Sequence, residues 1–261
     1  MKILGLSSRK GGGKNSCANF VLGVYLIHYG IVRGTFNITN EGLLNISDIF
    51  GDESNAGILN QDCYSDPTVA QFWYENIFPH IKLYSFASLL KRNICMEVLG
   101  LSHEQCFGTD EQKNSLTKLQ WQDMPIMRTD KREPLKEGPM SARQVMQFVG
   151  TDLFRKMYEK VWVEATIKQI KTEQPELAIV TDCRFPDEIE GIQQVGGKVI
   201  RLHRAPFKED EHESEKALDN KNFHYSKFDA VLSNQNMTIP QQSESLYNIL
   251  RKWDFVPEIQ Q

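Results

Sequence analysis

Apolar runs are short throughout this 261-residue sequence, and none approaches the ~20 residues needed to cross a membrane. The chain runs from its first residues into a strand-like segment with no charged lead and no cleavage site. A cytoplasmic setting without a membrane partner is therefore expected. Cysteine is scarce: Cys17, Cys63, Cys95, Cys106 and Cys183 make five, an odd number without a C-x-x-C pair. That argues against a disulfide framework or a metal finger and fits a reducing compartment. Excess positive charge is also missing. Thirty Lys and Arg against 34 Asp and Glu leave a net charge of −4, so no basic face for a nucleic-acid duplex is expected. An anionic ligand would have to be met by locally placed cations. There is no internal repeat, no low-complexity segment and no G-x-S-x-G nucleophile motif. His103-Glu104-Gln105-Cys106 lacks the P-C-x-x-C partner of a zinc deaminase, and His212-Glu213-Ser214-Glu215 reads as a solvated acidic loop.

What is present is concentrated first at Ser7-Ser8-Arg9-Lys10-Gly11-Gly12-Gly13-Lys14-Asn15-Ser16. The stretch follows the apolar run Ile3–Leu6 and precedes an amphipathic pattern that ends near Gly30. Strand, glycine loop and helix form the context a phosphate-binding loop requires. Glycines let backbone N–H groups converge on an anion, and the helix N-terminus adds about half a positive charge. Lys14 supplies a full charge. The match to G-x-x-x-x-G-K-[ST] departs at two places. Ser8 stands in the first glycine position, and Asn15 stands where a magnesium-binding hydroxyl belongs, with Ser16 one residue later able to supply it.

Further along, residues 34–46 alternate around an Asn-Glu-Gly turn as a β-hairpin does, and 51–68 read as a loop. Residues 34–78 together are expected to form an insertion on the main layer. Ile81–Phe86 is a candidate core strand leading into a helix over 87–99 stopped by Gly100. Residues 106–140 are polar, carry Pro125, Pro134 and Pro139, and are expected to form a mobile loop or lid. Ser141 is positioned to cap a helix through Val149 that ends at Gly150, with another helix over 152–173. Ala178–Thr181, 198–202 and 228–232 read as strands, separated by a helix from Pro186 to Gly196-Gly197 and followed by a helix over 243–252. Alternating strands and helices of this kind predict an α/β fold, with a parallel sheet covered on both faces.

Ligands of such sheets gather at the carboxyl ends of the strands. Asp182 ends one strand and Arg184 lies two residues on. A carboxylate there, beside a phosphate loop, suits magnesium, while the plainer reading is a pair between neighbours. Arg143 and Gln147 are four apart, with Gly150-Thr151 one turn further, so a polar stripe is expected on a helix that gives Val145, Phe148 and Val149 to the core. An Arg fork on such a helix can grip a phosphate bidentately. Lys91 lies one turn into its helix, with Phe86 just before. By its apolar neighbours Trp162 reads as core.

Taken in order, these motifs resemble the deoxynucleoside monophosphate kinases of tailed bacteriophages, a branch of the P-loop kinases. The likeness covers most of the chain. It is carried by Gly13-Lys14-Asn15-Ser16, Ser85-Phe86-Ala87-Ser88-Leu89-Leu90-Lys91 and Arg143–Asp152. Val161-Trp162-Val163, Asp182-Cys183-Arg184-Phe185-Pro186-Asp187-Glu188 and Gly196–Leu202 complete it. The resemblance implies one P-loop kinase domain over 1–261 that moves a phosphate from ATP, with Mg2+, to a deoxynucleoside monophosphate. It implies donor-side roles for Arg9, Lys10, Gly11, Gly12, Gly13, Lys14, Asn15, Ser16 and Arg204. On the acceptor side it implies Phe86, Lys91, Arg143, Gln147, Gly150, Thr151, Trp162, Asp182, Arg184 and Glu188. Lys14, Arg143, Asp182 and Arg184 would act in catalysis, and Ser16 and Asp182 at the metal. Basic residues of the lid, such as Arg128, Lys131 and Arg132, would close over the donor, and related kinases imply a homodimer. Asn15-Ser16 fits this family's variant of the loop, whereas Ser8 departs from it. Two rivals share the loop: another small-molecule kinase such as a dephospho-coenzyme A kinase, and a nucleotide-gated switch resembling the partitioning ATPases. In the switch's K-G-G-x-G-K register the signature lysine falls on Arg9, with Lys10 one place off.

Overall fold

Five short apolar segments pair into one parallel sheet, in the order Ala230–Leu232, Lys198–Leu202, Lys2–Ser7, Leu177–Cys183, Ile81–Tyr84. The computed structural model describes residues 1–59, 66–124, 136–204 and 217–258. It contains two compact units, Met1–Ser85 with Ile167–Gln261, and Phe86–Thr166. The sheet belongs to the first. Strands buried on both faces are near-continuously apolar, and Ile3-Leu4-Gly5-Leu6 and Ala178-Ile179-Val180 are of that kind.

Side-chain parity assigns the two faces. Leu4, Leu6, Ile179, Ile200 and Leu202 share a core with Val21, Leu22 and Tyr25 of the helix Lys14–His28 and with Leu246 and Leu250 of the helix Ile239–Lys252. The opposite face receives the helix Pro186–Gln194. A side chain on Gly5 would stand 2.8 Å from Ile192 and 3.0 Å from Val199, so a glycine in this central strand lets that helix close on the sheet. Both faces are covered, as the alternating pattern predicts.

The hairpin is present, with Phe36–Ile38 antiparallel to Leu44–Ile46. The adjoining loop expectation needs correction: Gly57–Leu59 adds a third strand, and Pro67–Phe72 is helical and continues through π-type turns to Ile77. Asp66 caps this helix ahead of Pro67, a local signal that a count of polar residues hides. The insertion packs into the main core through Leu44, Ile46, Trp73 and Ile77. It is fastened to the helix Lys14–His28 at two glycines. The Phe36 ring lies where a Gly23 side chain would be, and Ser16 Oγ lies 2.4 Å from where Gly42 would carry Cβ.

In the second unit, Phe86–Leu89 is helical and runs on in π-type turns through Val98. The stretch expected to be a loop over 106–140 holds, in its described part, the helical turns His103–Phe107 and Asp110–Asn114 and the strand Leu116–Gln120, paired with Pro139–Ser141. Its signal is in the sequence: Ser102-x-x-Gln105 and Thr109-x-x-Gln112 are capping boxes, each closed by reciprocal hydrogen bonds. Ser141 caps the next helix as predicted, but that helix does not end at Gly150; it continues from Ala142–Gln147 in π-type turns to Arg155. The helix expected over 152–173 spans only Val161–Glu173. Gly150 is a contact glycine instead of a terminator. Its missing side chain admits Leu90, and its carbonyl accepts a 3.0 Å bond from the Trp162 indole.

At the base of the hairpin, buried Asp48 accepts from the amides of Arg33, Gly34 and Gly51 and from the Ser47 hydroxyl. The Arg33 amide and the Ser47 hydroxyl are the leading causes holding its carboxyl at about 2, below the ordinary 3.8. A depressed value in the folded state means the stabilisation is full above pH 3.8 and drains away as pH falls toward 2. Asp48→Asn is therefore expected to lower the melting temperature at neutral pH. The gap to the wild type should shrink on acidification through that window, as followed by circular dichroism.

Candidate active site

The register of the sheet sets the site. Ser7, the last residue of the central strand, pairs with Cys183 on one side and Arg201 on the other. The glycine loop, Asp182 and the Arg201–Arg204 segment thus leave the sheet at the same edge. Gly11 and Gly13 sit at φ +71° and +93°, a region that side chains disfavour. Gly12 cannot carry a side chain either, since its Cβ would fall 2.5 Å from Ser8 Oγ and 3.0 Å from the Arg204 carbonyl. Ser8, the departure from the family motif, thus fills space that Gly12 leaves. Lys14 Nζ donates to the Ser8 carbonyl at 2.8 Å, to Ser8 Oγ at 2.7 Å and to the Arg9 carbonyl at 3.2 Å. These three oxygens hold the ammonium within the loop.

Arg9 and Arg204 line a cavity of about 390 Å³ with Arg201, Lys221, Asp219 and Tyr225. Arg9 grips Asp219 bidentately at 3.0 and 2.5 Å. Arg201, buried, donates to Ser7 Oγ at 3.0 Å and lies over the Tyr225 ring. Among the described residues that line it, four cations against one carboxylate favour an anionic occupant, and Tyr225 and His203 add flat ring surface. Sequence reasoning found Arg9 and Arg204 here but not Arg201 or Asp219. Arg201 looks like an ordinary alternating strand residue, and Asp219 lies more than 200 residues from its partner.

Asp182 accepts from Ser85 Oγ at 2.6 Å, and Glu188 accepts from the amides of Arg184 and Phe185 at 2.6 and 3.0 Å. The second contact caps the helix Pro186–Gln194 and fixes the turn that carries Arg184. Ser16 lies in the first turn of the helix Lys14–His28 beside the hairpin tip, where Asn19 Nδ2 also donates to the Gly42 carbonyl at 2.8 Å. Lys10 and Asn15 are exposed. Cys17, just past the loop, is no nucleophile: burial pushes its thiol up to about 12. The four described cysteines are all free and buried, and Cys63 lies outside the described residues.

Within the second unit, Arg143 donates to Asn114 Oδ1 at 3.0 Å and to Asp110 Oδ1 at 2.7 Å. Gln147 and Thr151 share its half-exposed surface, whereas Gly150, expected on that polar stripe, lies on the buried side with Val149. Phe86 is buried at the start of its helix, and Lys91 Nζ lies 4.8 Å from the Phe107 ring centre. Trp162 is buried against Phe154. Both π-type segments carry candidate residues, Lys91 on one and Gly150-Thr151 on the other, and such turns are common at functional sites. Arg128, Lys131, Arg132 and His212–Glu215 lie outside the described residues.

Among the described residues no cluster of three or more His, Cys, Asp or Glu side chains forms a metal cage, and no helix is long and apolar enough to cross a membrane. Residues 2–241 match the family model described as deoxynucleotide monophosphate kinase. A provisionally named deoxynucleotide monophosphate kinase of Acanthamoeba polyphaga mimivirus is 30% identical over 169 residues, which is 59% of this chain and 75% of the relative. The deoxynucleoside-5'-monophosphate kinase of Escherichia phage T5 is 31% identical over 70 residues, 26% of this chain and 28% of that protein. With a glycine loop at the carboxyl end of the central strand and a family match over nearly its whole length, this chain belongs to the deoxynucleotide monophosphate kinase family, transferases that phosphorylate deoxynucleotide monophosphates with a nucleotide donor.

Proposed function

We propose that the donor is ATP with Mg2+, its phosphates held by the loop Arg9–Ser16, and that the chain converts deoxynucleoside monophosphates to diphosphates. The observation that carries this reading is the cradle: two glycines at positive φ, a third with no room for a side chain, and the Lys14 ammonium inside. The cavity of Arg9, Arg201, Arg204 and Tyr225 beside that loop would take the rest of the donor. Ser16 and Asp182 offer the hydroxyl and carboxylate oxygens that Mg2+ accepts, an ion that keeps several waters and needs few protein ligands. Bound there, it would neutralise charge between the β- and γ-phosphates.

On the acceptor side, the resemblance to the family assigns Lys91, Arg143, Gln147 and Thr151, with Phe86, Gly150 and Trp162, in the unit Phe86–Thr166, and Arg184 and Glu188 in the other unit. Phosphoryl transfer needs two anions brought into line and the spreading charge neutralised. The cations of this chain are held on partners they can leave. Lys14 donates to the Ser8 carbonyl and hydroxyl, and a phosphate offers charge-assisted bonds about twice as strong as bonds to such neutral oxygens. Arg143 is 35% exposed and its partner Asp110 58%, and a surface pair of that kind is worth only about 0–1 kcal/mol. Arg9 is tied more firmly, since Asp219 is mostly buried, so its part in donor binding is a smaller one. A homodimer and a cytoplasmic setting belong to the same reading.

Incubating the chain with ATP and each common deoxynucleoside monophosphate, with chromatography of the products, should yield ADP and the matching diphosphate in equal amounts. ADP without a new diphosphate would mean a nucleotide-gated switch. Lys14→Ala and Arg143→Ala are each expected to keep the fold and to lose at least ~100-fold in turnover, since one preorganised donor is worth about 3–4 kcal/mol. Near-normal kinetics in either variant would remove that residue from the mechanism.

A further inference from the structure

Two side chains far from the loop in sequence turn its backbone. Asn234 follows the last strand of the sheet, and Gln242 lies in the first turns of the helix Ile239–Lys252. Both are buried, at 0% and 4% exposure. Asn234 Nδ2 donates to the Gly12 carbonyl at 3.0 Å and to Gln242 Oε1 at 2.7 Å. Gln242 Nε2 donates in turn to the Gly13 carbonyl at 3.4 Å and to Cys17 Sγ at 3.0 Å. The Gln242 amide also fills the space that Gly13 leaves, with both terminal atoms 3.0 Å from where its Cβ would stand.

In a planar trans peptide the carbonyl of one residue and the N–H of the next point in opposite directions. A donor that holds the Gly12 carbonyl inward therefore turns the Gly13 amide outward. The Gly13 carbonyl takes the Cys17 amide at 3.0 Å, and Gln242 adds a second donor that holds the same direction and turns the Lys14 amide outward. From this we infer that Asn234 and Gln242 are positioning residues for the phosphoryl donor: they set the direction of the two loop amides next to the Lys14 side chain without touching the nucleotide. The two side chains act as one unit, because Asn234 also orients the Gln242 amide. Gln242 stands one residue beyond the span matched by the family model. The inference rests on the loop being the donor site.

Asn234→Leu and Gln242→Met keep volume and remove the amide donors, and Gln242→Glu keeps shape but exchanges the amide donor for a charged acceptor. All three are expected to raise the KM for ATP with the KM of the acceptor unchanged: Asn234→Leu about ten-fold, the factor a carbonyl left without its buried donor carries, and the Gln242 variants by less, because the Cys17 amide still holds the Gly13 carbonyl. Backbone amide exchange of peptides over residues 8–16 should lose its ADP-induced protection in the same variants. Folded variants with wild-type KM for ATP overturn the inference, and so does an equal rise of both KM values with a lowered melting temperature, the mark of a merely structural role. If none of the three folds, 15N spectra of the wild type decide. The Gly13 and Lys14 amides must shift when ADP is added, and their silence overturns the inference. Wild-type protein that gains no thermal stability from ATP or ADP would instead sink the donor reading itself, which separates the two failures.

Discussion

Every peptide unit carries an acceptor as well as a donor, so a backbone that turns its N–H groups toward an anion must turn its carbonyls into the protein. That constraint governs the region around residues 8–16. Glycine supplies the positive φ values that reverse the chain at Gly11 and Gly13. The carbonyls then need buried donors: Asn234 reaches that of Gly12 from the far end of the sequence, and Gln242 joins the Cys17 amide on that of Gly13. The Ser8 and Arg9 carbonyls take Lys14 itself. These carbonyls of the loop are thus satisfied from inside, and the Gly12 amide closes the turn on the Arg9 carbonyl.

Charge follows the same logic. A chain of net −4 binds a polyanion only by concentrating its cations, and they concentrate where the strands of the sheet end. Arg201 shows the cost of doing so within a core. It is nearly inaccessible, its guanidinium shared between Ser7 Oγ, the ring of Tyr225 and, at 3.9 Å, Asp219, and its Nε is buried without a partner. Removing Asp219 would leave a buried charge poorly compensated, a change far costlier than breaking a surface pair. The carboxylate therefore serves first to keep Arg9 and Arg201 in place, and the more exposed Arg204 and Lys221 are the cations free of that duty.

Local chemistry in the sequence was legible where it was self-contained. The strand–glycine–helix succession at 3–28, the Ser141 cap and the strands at 178–181 and 198–202 follow from residues adjacent to one another. Gly150 was misread because a glycine after a helical run has two uses, ending the helix or admitting a neighbour. Only the position of Leu90, some 60 residues away, decides between them. The turns over 103–114 were missed for a different reason: their capping boxes are explicit, but each helix is five residues long and has no room for apolar periodicity. Asn234 and Gln242 were invisible because polar residues near a C-terminal helix are commonplace. Their significance lies wholly in which carbonyls they face.

The hairpin insertion shows how an addition can be joined to a phosphate loop without disturbing it. Its strands do not extend the central sheet; they form a separate three-stranded layer that approaches the helix Lys14–His28 closely at two glycines. At Gly23 the helix gives up a side chain so that Phe36 can lie against it. At Gly42 the hairpin gives one up so that the tip can pass Ser16, in a left-handed conformation a bulkier residue would resist. Any side chain at residue 42 would press on Ser16 Oγ, in the turn that follows Lys14. The tip is thus coupled sterically to the first turn of that helix, immediately after the glycine loop.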